Sequence, residues 1–306
     1  MSQAADALTS RDLYDRGLEY AKVPFRLYWR FAKTSFLGGI AVTMILGLIF
    51  IALFPWVLAP YDPFETFPEI VSAPSSEYWL GNDYLGRDVL SRIIWGTRVS
   101  LLVAFVSVAC GDGLGFAWGV ATGYFGGWFD LLSQRVGDAL MGLPLIILAL
   151  LLLLATGGGL WPVVIAIVVA RVPNTARTIR SVSLSVKEMT YVDGARAVGV
   201  GDVRIMVKHV APQCLAALMV VSTVGLGAAI FAEAALSFLN MGVKAPTPTW
   251  GNMLGGILSE RFKPPWWLVM SPGIAITLAV LAFNLFGDAL RDYLDPKLRG
   301  RLESTV

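Results

Sequence analysis

Apolar residues run along this chain in six long blocks separated by polar stretches that contain Gly and Pro. That pattern is neither the alternation of a half-buried strand nor the single apolar stripe of a surface helix. The first block, Phe36 to Ala59, is nearly continuous. The second covers Ser100 to Thr122, and the third Ala139 to Ala155 with a start near Val136. The fourth, Leu160 to Ala170, is short but continues with helical character. The fifth covers Leu215 to Leu239 and the sixth Leu268 to Phe286. A helix needs about 20 residues to cross a bilayer. Five blocks satisfy this directly, and the fourth does so only if Arg171 lies within the membrane. The pattern predicts an all-α integral membrane protein with six transmembrane helices.

The spacing also predicts a segmentation. Residues 1–35 form an N-terminal tail, in which Lys22, Phe25, Arg26, Tyr28, Trp29, Arg30, Phe31 and Lys33 mix charge and aromatics as a helix in the membrane interface does. Residues 36–59 form the first span. The run is too long, and its flanks are wrong, for a cleaved leader, because Phe54, Pro55 and Trp56 follow in place of small residues. Residues 60–97 form an outer loop, 98–290 the core of five further helices, and 291–306 a tail. Gly157 to Gly159 make a tight turn between the third and fourth helices. With the N-terminus inside, the inner segments hold 18 of the 24 Lys and Arg residues. This bias predicts both termini in the cytoplasm.

Composition agrees. The chain of 306 residues is 56% hydrophobic and 15% charged, with a mean hydropathy of +0.66; soluble domains are about 25% charged. A net charge of +2 points to no nucleic-acid partner. Cys110 and Cys214 both sit in apolar runs, offering neither a disulfide framework nor a metal spacing. His209 is the only histidine, which argues against a Ser–His relay or a metal pair. No G-x-x-x-x-G-K-[ST] phosphate loop occurs. The chain is therefore expected to be non-catalytic and to carry no cofactor.

Several features stand out within this pattern, the first of them structural. In the second helix, Gly111, Gly115, Gly119 and Gly123 repeat every four residues, so one face admits a neighbouring backbone at close range. Several ionisable residues fall at membrane depth: Asp112, Arg171 and, near the outer end of the fifth helix, Glu233. At 1.5 Å per residue, Asp112 lies about 21 Å and Arg171 about 15 Å from the outer boundary. They either pair directly, or Arg171 reaches the inner interface while Asp112 bonds a neighbouring helix. Glu233 either lines a translocation path or bonds the loop that follows it. Asp138 is expected to pair with Arg135 across one turn. In the outer loop 240–267, Asn240, Trp250 and Asn252 are candidates for contact with an outside protein, Trp250 in particular because Pro246 and Pro248 stiffen the stretch before it.

The most informative feature is the basic inner segment from Arg171 to Pro212. Val192, Ala195 and Val198 share a helical face; Gly199 and Gly201 break it; Val203, Met206, Val207 and Val210 define a second apolar face, which Pro212 is expected to end. The spacing predicts a hairpin of two short helices over 188–209. Its apolar face either fits a groove on a partner or packs beneath the bundle.

This segment resembles the EAA loop of permease subunits of binding-protein-dependent ABC importers, in the branch that carries dipeptides, oligopeptides and nickel. The Glu-Ala-Ala core of that family reads Asp193-Gly194-Ala195 here, with Gly199 in the glycine position. Gly194 departs from the pattern and loosens the helix by about 1 kcal/mol relative to Ala. Leu80 to Arg92 (LGNDYLGRDVLSR), Glu233 to Leu239 (EAALSFL) and Thr247 to Leu254 (TPTWGNML) resemble further segments of the dipeptide-type "C" permeases. The resemblance implies the type I ABC importer permease architecture in a prokaryotic inner membrane. It implies a second, similar permease, two ATP-binding subunits that carry ATP and Mg, and an extracytoplasmic substrate-binding protein. It places Glu188, Tyr191, Asp193, Gly194, Ala195, Arg196, Gly199, Arg204 and His209 at the contact with the ATPase. An ion-coupled secondary carrier is the alternative that Asp112 and Arg171 keep open.

Overall fold

The computed structural model describes residues 35–260 and 264–294, with the side chains of 256–260 left aside. The expected interfacial helix of the N-terminal tail, and residues 295–306 of the C-terminal tail, lie outside this range. Among the described residues every regular element is helical. Five helices are long and apolar enough to cross a membrane, or six if one sharply bent pair counts as a single span.

Helix α1 (Phe36–Leu53) starts where the Ser35 hydroxyl accepts the Gly38 N–H at 3.1 Å. It stops at Phe54 because Pro55 disfavours helical backbone in the residue before it. A single turn, α2 (Pro55–Leu58), follows. The expected helix over 36–59 is therefore broken near its end.

Helix α3 (Val89–Phe125) begins nine residues before the expected position, because the Asp88 carboxylate caps it by accepting the Ser91 N–H at 2.7 Å. Its 37 residues span about 55 Å, well beyond the hydrocarbon core of a bilayer. The two ends of α3 thus mark opposite faces of the molecule. We call the face bearing residues 59–88 the loop end and the other the hairpin end.

The expected third helix is in fact two. Helix α4 (Gly127–Met141) and helix α5 (Leu145–Thr156) meet at 86°. Gly142, Leu143 and Pro144 separate them. Pro144 offers no N–H to the helix and pushes Leu143 out of the helical region. Helix α6 (Leu160–Lys187) then runs unbroken through Arg171 and Pro173, so the fourth block does reach full length.

At the hairpin end lies the short α7 (Thr190–Ala197). Helix α8 (Asp202–Phe238) follows as one span of 37 residues, with a wide turn of π geometry over Met206–Val210. Pro212 was expected to end a short helix. It instead sits in the first turn after the π segment, where the wide turn absorbs its missing N–H, and the helix continues. The second arm of the hairpin is thus the start of the fifth span. Helix α9 (Trp250–Glu260) folds within the expected outer loop, and α10 (Trp266–Leu294) closes the bundle.

The most extensive helix pairing joins α3 to α6. The glycine ladder creates it. A Cβ added at Gly115 would lie 2.8 Å from the Val172 carbonyl, at Gly119 2.5 Å from the Ala176 carbonyl, and at Gly123 2.7 Å from Ser183 Cβ. Leu153, Ile167, Ile230, Leu236 and Phe283 fill the core around this pair, from α5, α6, α8 and α10. Helix α1 lies outermost, against α10 and α3, and buries only Gly38, Gly39 and Ala41.

Candidate functional site

The hairpin end carries the densest group of sequence-predicted residues. Helix α7 starts after Met189 and ends at Val198, where Gly199 takes φ +81°, a backbone that costs a side-chain-bearing residue dearly. The chain reverses and enters α8 at Asp202. Its apolar residues divide between two faces. Val192, Ile205 and Val210 are fully buried and pack with Val120, Tyr124, Ile179 and Cys214 at the base of the bundle. Val198 (79% exposed), Val203 (64%) and Val207 (55%) point away from the chain. The reading that the apolar face packs beneath the bundle holds for the first set, and the second set is left exposed. Ala195 packs at the edge of the buried cluster.

The polar residues of the hairpin are mostly exposed, Glu188, Asp193, Gly194 and Arg204 among them. Arg196 pairs with Asp193 at 3.2 Å. The Arg196 guanidinium is held above its ordinary range, chiefly by the neighbouring Tyr124 hydroxyl and then by the carboxylates of Asp193 and Asp202. The Tyr191 hydroxyl donates to the His209 carbonyl at 3.3 Å, tying the two arms together. A Cβ at Gly194 would meet nothing within 4 Å, so packing within this chain does not require the missing methyl.

Asp112 and Arg171 meet deep in the bundle. Arg171 Nη2 donates to both oxygens of Asp112, at 2.7 and 2.8 Å, and Nη1 donates to the Gly225 carbonyl at 3.3 Å. The Thr175 hydroxyl donates to Asp112 Oδ1 at 2.7 Å. Asp112 is 2% exposed and Arg171 7%. Gly225 admits the guanidinium, since a Cβ there would fall 2.0 Å from Nη2. Three helices are joined by one neutralised pair, as membrane-depth charges require. Depth matching in the sequence anticipated the pair, but not Thr175 or Gly225. Asp138 does pair with Arg135, at 4.0 Å, and more closely with Arg177 from α6. Asp130 and Arg180 form a further link between α4 and α6.

The loop end corrects two expectations. Glu233 is fully buried within the chain. It accepts from the hydroxyls of Ser237, at 2.7 Å, and Ser100, at 3.1 Å. Among the described residues it binds neighbouring elements, Thr249 of the following loop included, which is the second of the two readings. Trp250 is 1% exposed, and its indole N–H donates to the Ile93 carbonyl at 3.2 Å. The ring is a wedge between α9 and α3, inaccessible to an outside protein, because residues 241–249 fold it inward. The Asn252 amide is likewise spent on the chain, donating to the Thr247 carbonyl at 2.7 Å and the Val243 carbonyl at 3.3 Å. Asn240 is exposed.

A second organised region at this end drew only a family likeness from the sequence. Asp83 binds Arg87 at 2.7 Å and Arg92 at 3.5 Å, while its other oxygen accepts the N–H of Leu85 and of Arg87. Arg92 Nη1 donates to the Pro63 carbonyl at 2.9 Å. Gly86, at φ +73°, lets the chain pass the Phe67 carbonyl, which would lie 2.2 Å from a Cβ. Tyr61, Phe67 and Tyr78 cluster with ring centroids 5.1 to 5.6 Å apart. Residues 61–92 are therefore a folded cap.

Residues 115–300 match the family described as binding-protein-dependent transport system inner membrane component. The chain belongs to this family. It is 38% identical over 280 residues to the glutathione transport system permease protein GsiD of Pectobacterium atrosepticum, covering 91% of this chain and 93% of that protein. The GsiD proteins of Escherichia coli O1:K1 and Shigella boydii serotype 4 are each 36% identical over 284 residues, covering 92% of this chain and 93% of theirs.

As a binding-protein-dependent transport permease, the protein is a multi-pass inner-membrane subunit of an ABC importer in the dipeptide-type branch. The likeness read from 188–209 and from the flanking segments is borne out. The family sets aside the ion-coupled carrier, and the buried Asp112–Arg171 pair no longer argues for one. What the sequence did not disclose is the polar contact between Tyr124 and Asp202, where the phenol donates to the carboxylate at 2.7 Å. Tyr124 reads as one more aromatic in an apolar run, and only the return of the chain through the hairpin brings Asp202 to it.

Proposed function

We propose that this permease imports glutathione or closely related short peptides, and that its hairpin seats on an ATP-binding subunit. The two-faced hairpin carries the proposal. Val192, Ile205 and Val210 lock it to the bundle, while Val198, Val203 and Val207 offer an apolar patch that none of the described residues covers. An isolated patch rimmed by charge suits a groove on a partner. On this reading the partner hydrolyses ATP with its own Mg, and this chain converts the movement into alternating access together with a second, similar permease. The Lys and Arg bias supports a cytoplasmic position for the hairpin, which leaves the cap of 61–92 to the side of the substrate-binding protein. Glutathione is proposed because the relatives that match over nine-tenths of the chain carry that name.

Val203→Asp tests the seat. The side chain is exposed, so the permease should fold and insert normally. Copurification of the ATP-binding subunits, or substrate-stimulated ATP hydrolysis, should fall at least tenfold. Wild-type hydrolysis and transport in this variant would refute the seat. Calorimetry on the cognate binding protein with glutathione, dipeptides and nickel tests the substrate; binding of nickel alone would overturn it.

A further inference from the structure

The hairpin is tied to the bundle in three places, and they are not alike. Helix α6 runs into it through Lys187 to Met189. Helix α8 runs out of it through the π turn Met206–Val210, a wider ring than an α turn and one frequent at functional sites. The third tie is not covalent. Tyr124, in the last turn of α3, is 5% exposed within the apolar cluster formed by Val192, Ile205 and Val210, and its hydroxyl donates to Asp202 Oδ1 at 2.7 Å. The Arg196 guanidinium lies 5.7 Å from the centroid of the same ring. One residue thus touches both arms of the hairpin.

Helices α3 and α6 form one closely packed pair. Between Gly115 and Gly123 their backbones lie so close that no Cβ fits, and Ser183 donates to the Val120 carbonyl at 3.2 Å one turn before Tyr124. The α3–α6 pair and the hairpin therefore share one continuous, closely packed contact. The join to α8 is the only one of the three that holds a wide turn.

We infer that Tyr124 is a positioning residue for coupling: its hydrogen bond to Asp202 makes the hairpin travel with the α3–α6 pair, so that movement is taken up at the π turn against α8. This rests on the hairpin being the seat of the ATP-binding subunit. Without the bond, the hairpin keeps its apolar anchor and its docking patch, but it swivels when pushed, and hydrolysis runs without moving the helices.

The test uses the assembled importer in nanodiscs, with both permeases, the ATP-binding subunits and the binding protein. Tyr124→Phe removes one hydroxyl and leaves the ring in its cluster. ATP hydrolysis should stay within twofold of wild type while glutathione import falls at least fivefold, raising ATP spent per molecule imported. Hydrogen–deuterium exchange should quicken over 190–205 and remain unchanged over 111–123. Asp202→Asn, whose side-chain oxygen still accepts, should retain coupling; Asp202→Ala should behave like Tyr124→Phe. An unchanged ratio of ATP to substrate in both Tyr124→Phe and Asp202→Ala would overturn the inference. The Val203→Asp importer separates the two ideas: there the partner itself is lost, whereas here it stays bound and active.

Discussion

Replacing Gly119 by Ala is the sharpest probe of the α3–α6 pair. The added Cβ would sit 2.5 Å from the Ala176 carbonyl oxygen, 2.9 Å from Ile179 Cβ and 3.0 Å from the Arg180 nitrogen. A carbon–oxygen contact settles at about 3.3 Å or more, so the helices must separate locally by roughly 0.8 Å. Two of the three obstacles are backbone atoms, which cannot turn aside as a flexible side chain does. Overpacking of this kind costs about 1–3 kcal/mol, against a gain of at most about 1 kcal/mol from replacing Gly by Ala in a helix. Gly113 is the control. It stands on the same helix, six residues away, and a Cβ there meets nothing within 4 Å. In detergent, the thermal midpoint read by size-exclusion chromatography should fall for Gly119→Ala and hold or rise for Gly113→Ala. The Gly123→Ala variant, whose Cβ would lie 2.7 Å from Ser183 Cβ, should follow Gly119→Ala. Equal midpoints for Gly119→Ala and Gly113→Ala would show that the ladder does not set the approach of the helices.

Two further outcomes follow from the buried polar groups. Arg171→Met leaves Asp112 charged without its partner, a loss of about 3–5 kcal/mol, and Asp112→Leu strands Arg171 in the same way; the double variant should yield more folded, monodisperse protein than either single one. Glu233→Gln keeps one acceptor oxygen and turns the other into an N–H donor, to which a serine hydroxyl can rotate and accept, so transport should remain within threefold of wild type, whereas Glu233→Ala should lower the thermal midpoint; transport abolished in Glu233→Gln with the fold intact would restore the carboxylate to the path.

The sequence was most legible where one periodicity had one physical cause. Four glycines at four-residue spacing announced a close helix contact, although nothing in the chain said that α6 would be the partner. Asp112 and Arg171 announced each other because a charge at membrane depth has few partners to choose from. Legibility failed where tertiary contacts outweighed local signals. Gly142 and Pro144 were visible, yet a hydropathy window averages over them, and the 86° bend disappeared into one long apolar block. Pro212 read as a stop because Pro usually is one; the π turn before it could not be foreseen. Trp250 read as exposed from its polar, proline-rich approach, but the fold turns that approach inward and buries the ring against α3. The same limit hid Tyr124, whose partner lies 78 residues further along the chain.

The position of α1 bears on how the protein is made. Helix α1, which buries Gly38, Gly39 and Ala41, packs most extensively on α10, the last of the described helices in chain order. About 240 residues separate the end of one from the end of the other, a wait on the order of tens of seconds at ordinary elongation rates. Through that interval the first helix has α3 as a neighbour but not α10. A chain stopped before Trp266 therefore lacks the larger of the two helix surfaces on which α1 packs.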